Sequence, residues 1–312
     1  MTPFEWAYIH TGNLRKKKDK IMELDSYQDI CQYMEDLNPN RYSPGYWTIL
    51  KNISLAYCIN PFGVILDHHG IKEKIFVDLF CGAGITPIKS PESEESVWTL
   101  GSPLISTLMN NHPFSMHYFC DKNSDSLELL EKLLCEINEK WNFNINYEII
   151  QGDANEIALK LLPLLKKKKY TMFFIDPTGF QYDWKSLEML MSIDKFDIFF
   201  NFQTRQVKRI PKEKQMKFLG ECVEDFTSHS TCDEILDSYI NQLKKIGMTV
   251  TPIRIGMSPN DQYYYHLIHI ARLSSYQRIP LTAKRQIEKF TGKSIKTVWN
   301  DLHGYERQKS LF

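Results

Sequence analysis

Between residues 75 and 200 the sequence alternates short apolar runs with longer segments of helical periodicity. The runs are apolar at consecutive positions rather than at every second one, which predicts strands that are buried on both faces. The helical segments between them predict right-handed crossovers that join parallel strands. This part of the chain should therefore form a doubly wound α/β sheet. The predicted strands cover residues 75–77, 116–120, 147–150, 171–175 and 196–200.

Two more strands are predicted over residues 249–255 and 263–271. The Ser-Pro-Asn-Asp turn at 258–261 is too short for a crossover, so these two strands should be antiparallel. Dinucleotide-binding sheets, in contrast, end with a parallel strand. The predicted fold class is therefore α/β, with a mostly parallel seven-stranded sheet and an antiparallel last strand, the class I methyltransferase type of Rossmann-like fold.

Helical segments are predicted before and after this sheet in the sequence. Residues 46–66 have apolar positions near helical spacing, which predicts an amphipathic helix, either continuous or broken at Pro61, after a turn at 39–44. Residues 283–302 also have a helical pattern. The expected organisation is an N-terminal helical region (1–70), a methyltransferase-like α/β domain (71–275) and a C-terminal helical extension (276–312).

The composition excludes several classes of protein. No stretch approaches the roughly 18–20 apolar residues of a membrane span, and the first ten residues lack the pattern of a secretory signal. The seven cysteines include no CxxC pair and the histidines have no metal-ligand spacing, so we expect reduced thiols, a cytoplasmic location and no metal. Lys plus Arg equals Asp plus Glu at 38 each, so nucleic-acid binding would need a local basic patch.

The first strand ends in Asp78 and runs into a loop that contains Phe80, Gly82 and Gly84. The loop departs from the dinucleotide fingerprint, because Pro87 stands where the third glycine would be, and it lacks the Lys-Ser/Thr pair of a phosphate-binding loop. A carboxylate here would repel a pyrophosphate but would attract a cationic ligand such as the methionine end of S-adenosylmethionine. The alternative is a turn that merely requires glycines.

Two further acids follow the next two strands. Asp121 could accept hydrogen bonds from ribose hydroxyls, and Asp153 could accept one from an adenine amino group. Each could instead be a helix cap, and Asp153 has a capping-box spacing to Glu156. Ligands of open α/β sheets bind along the carboxyl ends of the strands, which favours a shared site. The predicted cofactor-binding residues are Asp78, Phe80, Gly82, Gly84, Asp121 and Asp153.

The fourth strand ends in Asp176-Pro177-Thr178-Gly179-Phe180. Amino-methyltransferases place an acid or amide here to accept hydrogen bonds from the target nitrogen, and an aromatic ring to stack on the base. We therefore predict catalytic roles for Asp176, Pro177 and Phe180. The common pattern is Asp/Asn-Pro-Pro-aromatic, from which this turn departs at Thr178 and Gly179, and a turn with a capping Asp is the alternative. No Pro-Cys dipeptide exists in the chain, which excludes cytosine-C5 chemistry.

Two more local features bear on the site. Arg205, Lys208 and Arg209 follow the fifth strand and are predicted to contact a nucleic-acid substrate, with a solvated helix face as the default interpretation. Ser102 is predicted to cap a helix that has Pro103 at its first position, with or without a contact to the cofactor.

Taken in order, several motifs between residues 47 and 271 resemble the three-Cys-motif partner protein family (TcmP), whose members are similar to class I methyltransferases. The resemblance implies a partner protein that carries a three-cysteine motif and is itself similar to radical-SAM proteins, and it implies no particular substrate. The matching segments are 76–84, 101–105, 119–122, 152–155, 174–179, 201–202 and 263–267.

Three functions compete on this basis. The first is an S-adenosylmethionine-dependent methyltransferase that modifies an amino group of a nucleobase in RNA or DNA. The second is a non-catalytic or cofactor-binding partner of the three-Cys-motif protein. The third, an NAD-dependent oxidoreductase, is disfavoured by the missing glycine and by the antiparallel last strands.

Overall fold

The structure is a computed structural model of the chain. It describes residues 2–36, 45, 47–89, 96–165, 169–225, 230–256, 264–272, 277–290, 295, 298 and 300. The turns predicted at 39–44 and 258–261, and most of the helix predicted over 283–302 after residue 290, lie outside the described residues.

The described residues form an α/β structure in which helices precede, separate and follow the strands. The strands are β1 (Lys74–Asp78), β2 (Ile85–Lys89), β3 (Ser96–Leu100), β4 (Met116–Asp121), β5 (Tyr147–Gln151), β6 (Tyr170–Ile175), β7 (Phe196–Phe202), β8 (Thr249–Gly256) and β9 (Tyr264–Ala271). The α-helices are α1 (Pro3–Ile21), α2 (Asp25–Asp36), α3 (Thr48–His68), α4 (Ser102–Leu108), α5 (Ser124–Trp141), α6 (Ala154–Leu165), α7 (Trp184–Leu190), α8 (Lys212–Leu219), α9 (Cys232–Lys245) and α10 (Arg278–Ile287).

The main sheet has seven strands in the order β5-β4-β1-β6-β7-β9-β8. Strands β5, β4, β1, β6 and β7 are parallel, whereas β9 is antiparallel to both β7 and β8. The predicted fold class is therefore confirmed, including the antiparallel last strand. The order reverses at β1, and a sheet of this type places its ligand site at that point.

Helices cover both faces of the sheet. Successive residues of a strand point to opposite faces, so neighbouring residues of β1 enter different cores. Phe76 belongs to an apolar core with α1–α5 and α10, while Ile75 and Val77 belong to a second core with α6–α9. All five residues of β1 are buried, as the continuous apolar pattern predicted. Two cores on the two faces define a doubly wound sheet.

A β-hairpin that the sequence did not reveal is inserted between the glycine loop and α4. Its strands β2 and β3 pair antiparallel, apart from the main sheet. At its base the Gly101 amide donates to the Gly84 carbonyl at 2.8 Å, and a Cβ atom at Gly101 would lie 2.8 Å from that same oxygen. The two ends of the hairpin are thus held together by a close backbone approach that only glycine permits.

Helix α3 differs from the amphipathic helix that was predicted. It runs without a break through Pro61, and its buried residues lie on every side. It is long and apolar enough by composition to cross a membrane, but 67% of its most apolar window is buried inside the molecule, as in a core helix. Even its polar residues Asn52 and Ser54 are buried and hydrogen-bonded to backbone carbonyls.

A buried polar pair joins β7 to β9 beneath α3. His269 Nε2 lies 2.5 Å from Asp197 Oδ1, and both side chains are fully buried. Burial raises the pKa of Asp197, and the hydrogen bond from His269 opposes that shift. The pair therefore stabilises a carboxylate that would otherwise be costly to bury.

We predict that His269→Ala lowers the free energy of unfolding by about 3–5 kcal/mol, because it leaves a carboxylate buried without its partner. Chemical denaturation followed by circular dichroism measures the loss. Glu128→Ala, which breaks the exposed ion pair with Lys132, is the control and should cost about 0–1 kcal/mol. Equal losses in the two variants would contradict this account.

Candidate functional site

The carboxyl ends of the five parallel strands open onto one cavity of about 1210 Å³. Small-molecule pockets usually measure roughly 300–1,000 Å³, so this cavity has room for a cofactor and a second ligand. The glycine loop, Asp121 and Asp153 line it near β1, β4 and β5. Asp176 and Pro177 line it near β6, together with residues from α3, β7 and β9.

The loop after β1 is tied to the end of β4. The Gly82 amide donates to Asp121 Oδ2 at 2.9 Å, and the Cys81 amide donates to the Cys120 carbonyl at 3.0 Å. Gly82 has a φ of +57°, and a Cβ atom there would meet nothing within 4 Å. This glycine therefore opens the cavity, and a side chain in its place would project into space that a ligand could use.

Gly84 has a different role from Gly82. It does not line the cavity, and with a φ of +83° it allows the chain to pass Leu130 of α5, whose methyl group would lie 2.7 Å from an added Cβ atom. Phe80 lines the cavity and has an edge contact with Tyr182 at 6.3 Å between ring centroids. The predicted loop residues thus divide between lining the cavity and packing against α5.

Asp78 lies behind the loop, fully buried and outside the cavity lining. Its Oδ1 accepts from the Phe80 amide at 3.2 Å, whereas its Oδ2 is buried and finds no partner in the described part of the chain. Burial raises the pKa of Asp78 to about 7, hydrogen bonds from Ser102 and Phe80 oppose the rise, and the charges of Asp176 and Asp121 add to it. An orphaned buried oxygen of this kind suits a cationic ligand nearby.

Ser102 does not cap α4, contrary to the prediction. Gly101 is the N-cap residue and provides no side-chain cap, and Ser102 is the first residue of the helix. Its hydroxyl instead acts on Asp78, whose pKa it lowers.

The other two predicted cofactor acids lie at the cavity wall and also accept hydrogen bonds from neighbouring residues. Asp121 Oδ1 accepts from the Asn123 amide at 2.9 Å, in addition to the bond from Gly82. Asp153 Oδ1 accepts from the backbone and side-chain nitrogens of Asn155 at 2.9 and 3.1 Å. Each carboxylate retains lone pairs that face neither of these donors. Asn123, not Asp121, caps α5, so the capping interpretation fits only Asp153, where it is compatible with a ligand contact.

Asp176 has two partners that the sequence did not reveal. Lys51 Nζ of α3 forms an ion pair with Asp176 Oδ2, and Asn201 Nδ2 of β7 donates to Asp176 Oδ1 at 2.6 Å. Lys51 precedes Asp176 by 125 residues, and no local pattern marks it. Asn201 follows the fifth predicted strand and lay within a motif of the family resemblance, but neither signal marked it as a partner of Asp176.

Phe180 does not reach the cavity, contrary to its predicted role as the stacking aromatic. Its ring packs against Phe218 of α8 at 4.8 Å between centroids, on the side of the second apolar core. The intervening Gly179 displaces it by one position from the common pattern. The aromatic residues that line the cavity near Asp176 include Phe174 of β6, Trp47, Tyr264 and Tyr265.

Only part of the predicted basic patch adjoins the cavity. Arg205 lines it, and its guanidinium lies 5.0 Å from the centroid of the Tyr264 ring. Lys208 and Arg209 are exposed on the following 3₁₀ turn, outside the lining. Within the described ranges no three His, Cys, Asp or Glu side chains are grouped as a metal site.

Comparison with known proteins shows the fold. No protein-family model matches the chain, and no curated protein sequence matches it. The protein LPL1258 of Legionella pneumophila, labelled with the family DUF519, is similar in structure at 12% identity, with 80% of this chain and 94% of that chain covered and a TM-score of 0.53. This similarity is one of fold alone, and the strand order with its antiparallel last strand is that of a class I methyltransferase-like fold.

Two more distant structures have lower TM-scores. Trm5b from Pyrococcus abyssi is 16% identical over 68% of this chain and 48% of that chain, with a TM-score of 0.35. An O-methyltransferase from Bacillus cereus in complex with SAH is 11% identical over 78% of this chain and 96% of that chain, with a TM-score of 0.39. Membership of the TcmP family stays a prediction.

The titration of Asp78 gives a testable prediction about stability. Its pKa is about 7 in the folded protein, against about 4 in an unfolded chain. The folded state therefore binds more protons in this window, so Asp78 makes the protein less stable as the pH rises from about 4 to 7. Asp78→Asn should lose this contribution. Denaturant titrations at several pH values between about 4 and 8 compare the two proteins, and parallel stability curves would contradict the buried-acid account.

Proposed function

We propose that this protein is an S-adenosylmethionine-dependent methyltransferase that acts on an amino group of a nucleobase in RNA or DNA. The observation that carries the proposal is the single cavity lined by a glycine loop, two acids after β4 and β5, and Asp176 after β6. The acids suit a cationic cofactor at one end, and Asp176 suits a hydrogen-bonding acceptor at the other. The class I fold brings these groups to one edge of the sheet.

The residues at the first end fit the proposed cofactor. Gly82 leaves open space at the cavity wall, and the Oδ2 atom of the nearby Asp78 is buried without a hydrogen-bond partner among the described residues. Asp121 would accept from the ribose hydroxyls, and Asp153 would accept from the adenine amino group. When bound, S-adenosylmethionine supplies an electrophilic methyl group that leaves sulfur for a nitrogen lone pair, after which the methylated amine loses a proton to solvent.

The residues at the second end fit an amino acceptor. Asp176 would accept a hydrogen bond from the amino group that receives the methyl group. This bond directs the nitrogen lone pair toward the methyl donor, and Pro177 makes the turn rigid. Tyr264, Tyr265 and Trp47 supply the flat surfaces that Phe180 does not supply. Arg205 at the cavity and the exposed Lys208 and Arg209 beyond it would contact phosphates of the nucleic acid. We also propose a cytoplasmic location, since the seven cysteines are free thiols.

One observation favours a second candidate, a cofactor-binding partner of a three-Cys-motif protein without catalysis of its own. Thr178 and Gly179 stand where the Asp/Asn-Pro-Pro-aromatic pattern has its second proline and its aromatic residue, and Phe180 packs away from the cavity. Asp176 is also engaged by Lys51. Under this alternative the cofactor end would function while the acceptor end would not, so the two ends are tested separately.

At the cofactor end, we predict that Asp121→Ala weakens S-adenosylmethionine binding about 10- to 100-fold, because it removes an acceptor of charge-assisted hydrogen bonds and the tie to Gly82. Isothermal titration calorimetry measures the affinity. Asp194→Ala is the matched control, since this exposed acid precedes β7 at the opposite edge of the sheet and should leave binding unchanged. Failure of the unmodified protein to bind the cofactor would refute both candidate functions.

At the acceptor end, we predict that Asp176→Ala keeps cofactor affinity within a few fold but lowers methyl transfer about a hundredfold or more, because the acceptor nitrogen loses its positioning group. The assay measures transfer of a labelled methyl group to total RNA and to genomic DNA from cells that lack the gene. Asp194→Ala again serves as the control. Transfer that survives in Asp176→Ala shows that this acid was misassigned, and cofactor binding without any transfer by the unmodified protein favours the partner candidate.

A further inference from the structure

Three polar side chains from distant parts of the chain meet at the acceptor end of the cavity. Lys51 comes from the first turn of α3, Asp176 follows β6, and Asn201 lies near the end of β7. All three line the cavity, and both Asp176 oxygens accept a hydrogen bond, one from each neighbour. The cluster therefore presents a fixed set of donors and acceptors to a bound ligand.

The orientation of the Asn201 amide follows from its partner. An ionised carboxylate only accepts hydrogen bonds, so the nitrogen must face Asp176 and the oxygen must face away. Asn201 is only 5% exposed, and its Oδ1 has no partner among the residues that the structure describes. A buried acceptor without a donor is costly, which indicates that a ligand N–H group satisfies it.

Lys51 provides the donor of the set. Its side chain is 12% exposed, and an ammonium group has three N–H bonds, of which the contact with Asp176 uses one. The adjacent Asn52 fixes this turn of α3, because its Nδ2 donates to the Leu100 carbonyl at 3.0 Å. Asp176 in turn retains a second lone pair on each oxygen. The cluster can thus accept at least two hydrogen bonds from a ligand and donate at least one to it.

We infer that Lys51, Asp176 and Asn201 recognise an amino group that stands next to an unprotonated ring nitrogen, the pattern of adenine or cytosine. The amino group would donate one hydrogen bond to Asp176 and the other to Asn201 Oδ1. The ring nitrogen would accept a hydrogen bond from Lys51. This inference rests on the proposed function and narrows its substrate class.

Other bases present the wrong pattern on their Watson–Crick edge, the edge by which extruded bases are read. Hypoxanthine and uracil have a carbonyl group in place of the amino group and an N–H in place of the lone pair, so both contacts would be reversed. Guanine places a ring N–H beside its amino group on that edge, so Lys51 would face another donor. The cluster should therefore reject these bases.

The test uses calorimetric binding of mononucleotides to the full chain saturated with S-adenosylhomocysteine. AMP or CMP should bind at least about fivefold more tightly than IMP, UMP and GMP, the discrimination expected of a bidentate base contact. The 1-deaza analogue of AMP and the 3-deaza analogue of CMP, which lack only the ring nitrogen, should bind more weakly than their parents. These comparisons need no variant and so do not depend on how a variant folds.

The role of Lys51 is then isolated with Lys51→Met. This variant should keep its affinity for S-adenosylhomocysteine but lose the difference between each nucleotide and its deaza analogue. Lys132→Met, on the exposed face of α5, is the control and should keep that difference. Lys51→Arg, which retains a donor, should restore part of it.

The outcomes separate this inference from the proposed function. No binding of S-adenosylhomocysteine would refute the proposed function itself. If the protein binds S-adenosylhomocysteine but has equal affinities for AMP, CMP, IMP and UMP, the inference alone is overturned. The same holds if it binds S-adenosylhomocysteine but no nucleotide at millimolar concentration. Equal affinities for parent and deaza nucleotides in the unmodified protein would show that Lys51 only pairs with Asp176.

Discussion

The site depends on one geometric constraint, that five parallel strands end at the same edge of the sheet. Right-handed crossovers return each strand in the same direction, so the residues that follow β1, β4, β5, β6 and β7 must gather there. The hydrogen bond from the Gly82 amide to Asp121 joins the first two of these ends. Acids that are far apart in sequence thereby line one cavity.

Two carboxylates at this edge are stabilised in opposite ways. Asp78 is buried without a cation, so its ionisation is disfavoured and its pKa rises to about 7. Asp176 lies beside Lys51 and Asn201, so its charge is compensated by the protein itself. Among the described residues Asp78 thus has no cationic partner, whereas Asp176 already has one in Lys51. This asymmetry is what separates the proposed cofactor end from the proposed acceptor end.

The sheet could be predicted from the sequence because its strands are buried on both faces and read as continuous apolar runs. The hairpin of β2 and β3 could not, since its five-residue strands pair only with each other and contain Pro87, which weakens a strand pattern. Helix α3 was predicted to be amphipathic from the helical spacing of its apolar positions, whereas the burial of its polar residues Asn52 and Ser54 appears only once the helix is packed. Residues outside the described ranges leave the predicted C-terminal helix beyond Ile287 as a prediction.

By itself the sequence determined the alternation of strands and helices along the chain, the antiparallel last strands and the acids that follow β1, β4, β5 and β6, because each of these is encoded by neighbouring residues. Only the tertiary structure decided what surrounds those acids. Lys51 reaches Asp176 across 125 residues, Asn201 turns an unpaired oxygen away from it, and Phe180 packs against α8 instead of the cavity. Such contacts depend on how helices pack against the finished sheet, and no local pattern records them.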